Sequence, residues 1–559
     1  MCQSRETLEH YYIYPRIISR LERTNHLRNS NTLEYIQVLD TFPEVKSEAL
    51  QAMIFLARAA PGDVHMHIKS LVESSLCALR HQHSRIRQKS VSTAGELLMY
   101  CSEGLSSVME KIVLPAFERL PFDSSSTVRQ TAVDVLAQCL ARLHSRHEYS
   151  ANVFQILLSL LGDATDSISQ RALQRLEWIA RYLEEKDSDK MQIETQNVST
   201  DTLVAADAAS MPPEDIEKTK NHQEEDTTRW QDMTLASDMF PKPFNSRPSN
   251  CLREYARTMW SKTLRLTLRD LGDWTTGKRS FAALQLRSML VLCESYCTIS
   301  LPQVLNSLRM AFHNIFDGLD RDNLDICIYD CARLIGCFCD SQAIFDIVLA
   351  WARGENGFSS LMQRCSSLAL LGSCIEGLHL RCTESSCPLS LIQLGQVAEL
   401  VSDTSLCGTD EILLKRQVLR LVYAIVDSSS TLDVVRTALE RRETHSSPVT
   451  VRALKLQCDL MRTILQLKSR DDGRKTIDEA EIALSKAHGM SLEDIHVTHA
   501  RQLLDVATKD SKMWSIDGPN AHGRRLFEQI LGLSSSSLAP LVNDVVNVFA
   551  SALTVDRDS

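Results

Sequence analysis

The chain has 559 residues, 44% of them hydrophobic and 24% charged, with a formal net charge of -10. That balance excludes a collagen-like or low-complexity chain and is enough for several domains or one long array. The negative charge is local. Residues 184–232 hold fourteen acidic residues against Lys186, Lys190, Lys218, Lys220 and Arg229, a net of -9, which leaves the rest about neutral and without the basic stripe that nucleic-acid binding needs.

Only 19 glycines and 15 prolines favour helices over strands, and 17 cysteines are spread mostly among apolar helical positions, as reduced buried thiols would be. The start, MCQSRETLEHYY, lacks the tripartite form of a signal peptide, and no apolar run approaches ~18 residues, so an intracellular protein without a membrane span is expected.

In chain order, Leu8–Arg23 reads as a helix and Leu33–Asp40 as a short one leading into Phe42–Ala59. The opening has no polar cap, as at an internal start of an array. Three helix pairs follow: 63–79 with 84–101, 105–120 with 126–145, and 149–161 with 167–183. Pro115 stands inside a first helix, where it removes a backbone donor and predicts a kink. Asp123–Leu143 carries the pattern most plainly. Asp123 and the serines after it favour a turn and a helix start, and Val128, Ala132, Val135, Leu136, Cys139, Leu140 and Leu143 share one helical face.

That unit recurs. A turn residue, an apolar anchor five later, a basic or polar neighbour and a small residue three further on are met by Asp40, Val45, Lys46, Ala49, and by His81, Ile86, Arg87, Ser90. They recur at Asp123, Val128, Arg129, Ala132 and at Asp163, Ile168, Ser169, Ala172, with anchors about 41 residues apart. One such unit cannot bury its own apolar stripe, whereas stacked units can, so the fold expected is an all-α solenoid of HEAT-type helix pairs. In this frame Asp and Arg are structural parts.

From 184 to 250 the pattern stops and charged, small and proline residues dominate, as in an acidic disordered insertion or linker between arrays at 1–183 and 251–559. Its aromatics fall in 228–244, where Trp230, Met239, Phe240 and Phe244 form a candidate docking segment, for the solenoid or for a partner, against the default of a solvated loop with incidental aromatics. Helices resume at Leu252, and the frame returns more loosely from Asp273, with Trp274 beside it counted among the structural parts, Lys278, Arg279 and Ala282, through Asn323, Asn356, Thr409 and Ser446. Helical patterning runs on to Leu538–Leu553, which also lacks a polar cap, as if the array continued.

Chemistry is sparse. Gly272-Asp-Trp-Thr-Thr-Gly277-Lys278 has the glycine spacing of a P-loop, but Arg279 stands where a magnesium-binding hydroxyl belongs and the residues before it are helical in pattern. Asp317–Asp330 fails as a calcium loop, with Asp325 at the turn glycine and Cys331 at the bidentate glutamate. Cys327, Cys331, Cys337 and Cys339 read as core packing, and the pairs His65/His67, His81/His83 and His496/His499 as surface or turn residues. No catalytic signature occurs, so no catalytic, cofactor or metal residue and no small-molecule substrate is expected.

Trp260–Leu378, with the turn Leu268-Arg-Asp-Leu-Gly-Asp-Trp274, Lys278-Arg279, Ala282–Leu290, Ala332-Arg-Leu-Ile-Gly336 and Leu368–Gly372, resembles the HEAT-repeat axonemal dynein assembly factor family. The resemblance implies a non-enzymatic cytoplasmic scaffold, present also at the cilium or flagellum, that binds dynein heavy or intermediate chains, chaperones and co-chaperones before dynein arms enter the axoneme. Two departures are the acidic insertion and a chain shorter than the family at both ends. Other HEAT scaffolds, such as a phosphatase scaffold or a nuclear transport receptor, are the alternative, and a nucleotide-binding enzyme at Gly272–Lys278 a remoter one.

Overall fold

The computed structural model describes residues 43–59, 61–100, 108–142, 146–201, 240–318, 324–355, 357, 360–380, 389–407, 411–426, 448–468, 474–509 and 521–555. Among these residues the regular structure is helical throughout, and the chain is an α-solenoid. It divides into two compact units, Met1–Arg175 and Leu176–Ser559.

In the first unit, helices α1 (Pro43–Ala59), α3 (Ser84–Met99) and α4 (Ser126–Arg142) pack in succession, with α2 (Pro61–Cys77) against α3 and α5 (Arg146–Leu161) against α4. The anchors Ile86, Val128 and Ile168 and the small residues Ser90, Ala132 and Ala172 are all buried, so the recurring frame is the packing frame. It fails at the first repeat. Asp40 lies outside the described residues, and Val45 is 42% exposed because no described helix stacks before α1, which buries Leu50, Ile54 and Ala57 instead. At Pro115 the hydrogen bonding changes register: a π turn at Met109–Val113 runs into the single α turn Leu114–Phe117, as expected where a proline withholds its N–H.

Helix α6 (Asp166–Asp201) continues well past residue 183, where composition ends the first array. Residues 240–249 form no helix and are packed, so the stretch 184–250 is neither uniform nor wholly without structure. Trp230 and Met239 lie outside the described residues.

In the second unit α8 (Thr276–Cys293), α10 (Leu324–Phe338), α12 (Leu361–Leu380) and α14 (Ile412–Val426) pack one on the next. Flanking them are α7 (Asn250–Leu271), α9 (Leu301–Phe316), α11 (Ser341–Arg353), α13 (Leu391–Val401) and α15 (Pro448–Lys468). Helices α16 (Arg474–His488), α17 (Leu492–Thr508), α18 (Ala521–Leu531) and α19 (Val542–Val555) follow. Helices α10 and α12 approach closely at two glycines. A Cβ on Gly336 would stand 1.9 Å from the Cys374 carbonyl oxygen, and one on Gly377 1.8 Å from that of Arg333. Thr276–Phe316 is apolar and long enough to cross a membrane by composition. It is two helices joined through a 3-10 segment at Glu294–Ser300, and its buried side chains pack inside the second unit.

Candidate partner-binding surface

The frame polar groups form a ladder. Arg87 donates from Nε and Nη2 to the two carboxylate oxygens of Asp123, at 2.7 and 2.8 Å, and from Nη1 to the His81 carbonyl of its own turn. Arg129 repeats this one unit on, reaching Asp163 at 2.6 and 3.1 Å and the Asp123 carbonyl at 2.6 Å. Each aspartate also accepts from the N–H two residues later, Ser125 and Thr165, both at 2.8 Å. One side chain thus closes its own turn and ties it to the arginine of the repeat before. Burial alone would raise the Asp123 pKa, but Arg87, the Ser125 N–H and Arg129 more than offset it and hold it below the usual value.

The second unit uses the same parts. Arg279 donates to the Asp273 carbonyl at 2.8 Å, and Asp273 accepts from the Thr275 N–H at 2.9 Å. Further on the ladder pair is one the sequence frame missed. Arg364 reaches Ser405 Oγ at 3.0 Å and Asp403 at 3.8 Å, with Asp403 accepting from the Ser405 N–H at 2.9 Å. The frame had placed that turn at Thr409, six residues late. Lys278, Leu361 and Val451 are exposed or charged at anchor positions, whereas Ile328 and Leu414 are buried.

Trp274 departs most from its expected role. Grouped by sequence with the structural frame, it is 88% exposed on the turn between α7 and α8. The residue after the ladder aspartate is Ser124 in one repeat and Ala164 in another, both exposed, so the fold needs no indole there. In the same turn and the helix ends that flank it, Lys278 pairs with Asp273 at 3.1 Å and Arg269 with Asp270 at 2.9 Å, so the charges next to the indole in sequence neutralise one another. The hydroxyl and N–H of Thr275, with Lys278, hold Asp273 at a pKa of about 2. This lysine lies in the first turn of α8 and is held by its own aspartate, and the turn follows a helix, so it lacks the strand and free ammonium of a phosphate-binding loop. An exposed tryptophan on a turn of paired charges has the chemistry of an interface anchor.

Of the candidate docking residues, Phe240 and Phe244 are buried against the second unit. The residue that fixes them there, Arg247, was not singled out by sequence. It donates from Nε and Nη2 to both oxygens of Glu294, each at 2.7 Å, and Arg253 adds a third bond at 2.9 Å. The four cysteines of 327–339 are buried, and Cys331 donates to the Ala283 carbonyl at 3.6 Å. Among the described residues no group of three or more His, Cys, Asp or Glu is placed to hold a metal. His499 is not a surface residue: it is buried on α17 with Nε2 2.7 Å from Gln457 Oε1 of α15.

Two family models match the chain, described as "Dynein axonemal assembly factor 5-like, TPR repeats" over residues 18–192 and "Dynein axonemal assembly factor 5, HEAT-repeat domain" over residues 239–454. TPR units repeat at about 34 residues, so the wider anchor spacing of the first unit is that of HEAT units. A dynein axonemal assembly factor 5 of Xenopus laevis is 22% identical over 521 residues, covering 92% of this chain and 52% of that protein. That of Mus musculus is 26% identical over 392 residues, covering 70% and 39%. The chain spans about half, or less, of the length of these curated relatives. A crystal structure of importin beta aligns with 96% of this chain and 66% of that one, at 13% identity and a TM-score of 0.25, too low to support an inference. With the two matches together spanning most of its length, the chain belongs to the HEAT-repeat axonemal dynein assembly factor family.

Proposed function

We propose that this chain is a non-enzymatic scaffold for the cytoplasmic pre-assembly of axonemal dynein arms, binding dynein heavy or intermediate chains together with chaperones. The observation that carries the reading is Trp274, an exposed indole at a position where the fold itself asks only for a small residue. The ladder and buried anchors hold the helices in place, and the partner-facing chemistry is left to such surface groups. Family membership supplies the class of client, and the scaffold acts in the cytoplasm before the arms reach the cilium.

The test is affinity capture from a ciliated cell with the unaltered chain and with Trp274→Ala. Dynein chains and chaperones are expected with the unaltered chain and a loss of at least fivefold with the variant, while its circular dichroism and melting stay unchanged. Recovery of no dynein chain, together with normal dynein arms in cells that lack the protein, would overturn the reading.

A further inference from the structure

Residues 240–249 sit on the second unit as a bound peptide sits on a receptor. Phe240, Pro243, Phe244 and Pro248 are buried, while Lys242, Asn245 and Ser246 between them face out. Prolines restrict the backbone in advance on either side of a turn closed by the Phe244 N–H on the Pro241 carbonyl, so little freedom is lost when the aromatic rings are buried. Side chains of the array hold the segment's backbone: Arg287 of α8 donates to the Lys242 carbonyl at 3.5 Å, and Ser249 donates from its N–H to Glu177 at 3.1 Å.

The receptor side carries its own sign of purpose. Glu294 is 2% exposed and has φ of 51°, a conformation that costs energy for a residue with a side chain and persists where the surroundings over-determine it. Its carboxylate lies where the segment's Arg247 and the Arg253 of α7 meet. Arg253, from the array, covers one oxygen only; Arg247, from the segment, covers both. A buried carboxylate half-served by its own scaffold and completed by an arriving guanidinium is a recognition group for arginine.

We propose that the surface covered by this segment, with Glu294 in it, is a peptide-binding site, occupied here by the chain's own Phe240–Ser249 as an internal ligand, and that in trans it takes a client peptide of the same chemistry. That peptide has two aromatic residues four apart, proline between them, and an arginine three residues after the second. The tethered segment competes with the client, so the site opens when the segment is displaced. The inference is independent of which protein supplies the client, and so of the dynein reading.

The test uses the full chain carrying Phe240→Ala, Phe244→Ala and Arg247→Ala, which removes the segment's anchors but keeps the Ser249 helix cap, and a fluorescein-labelled synthetic peptide of residues 240–249. A saturable rise in anisotropy is expected with the triple variant, at least tenfold weaker when Glu294→Gln is added, and none with the unaltered chain at the same concentration. No saturable binding by a triple variant that keeps the native circular dichroism spectrum would overturn the proposal. If that variant does not fold, hydrogen exchange of the unaltered chain decides. The Phe244 amide, bonded to the Pro241 carbonyl, is expected to exchange independently of the α8 amides; exchange only together with them would overturn the proposal.

Discussion

At the scale of the residue, the Arg87–Asp123 pair carries two jobs on one carboxylate. Both side chains are 12% exposed, so solvent screens the pair less than it would a surface ion pair. Asp123→Asn keeps an oxygen for the Ser125 N–H but loses the charge facing Arg87, and is expected to cost about 1–3 kcal/mol in urea unfolding. A double-mutant cycle with Arg87→Gln is expected to return a coupling energy of at least about 1 kcal/mol; additive effects would mean that the ladder is decorative. His499 makes a pH prediction. Burial lowers its pKa, outweighing the bond to Gln502, so the fold prefers the neutral ring. Its contribution is complete above the unfolded value of about 6.5 and is lost as pH falls through the lower, folded value. The melting temperature is therefore expected to drop between pH 7.5 and 5.5, and the drop to shrink in His499→Gln.

At the scale of the element, the joint between α10 and α12 is set by two glycines whose missing side chains admit the partner's backbone. In Gly336→Ala or Gly377→Ala the new methyl would meet a carbonyl oxygen under 2 Å away, which no rotamer change relieves, so the helices must part. The expected loss is about 2–4 kcal/mol in thermal or urea unfolding. Gly395→Ala in α13, with nothing within 4 Å, is the control and is expected to gain about 0.5–1 kcal/mol. Such joints also mark where sequence stops being informative. The first-unit frame was legible because turn, anchor and arginine all lie within ten residues and recur. Arg364 and Asp403 were not, since the turns there vary in length and a fixed offset lands on Thr409. The aromatics of the 240–249 segment were visible as a departure from acidic composition. The Glu294 that anchors them lies 47 residues from Arg247, and no local spacing encodes that meeting. Trp274 adjoins Asp273 and so falls within the structural frame by sequence; only its exposure separates the two roles.

At the scale of the whole molecule, a repeat array has neighbour contacts in place of one central core, so damage is expected to spread by neighbours and stop. Val128 tests this. It is fully buried in α4, where the ladder, the α3 contact and the α5 contact meet. Val128→Asp would place an unpaired carboxylate in that apolar space, costing on the order of 4 kcal/mol or more, because no cation lies in the stripe to receive it. In a protein with a single core such a change unfolds everything at once. Here hydrogen exchange is expected to show lost protection in α3, α4 and α5 while α10, α12 and α14 keep theirs. Because those helices hold their own ladder turns and glycine joint, they need nothing from α4 to stay folded. Equal loss of protection across all six helices would show that the chain folds as one cooperative body. Unchanged protection in α3 and α5 would show that the frame at Asp123–Arg129 does not transmit packing between repeats.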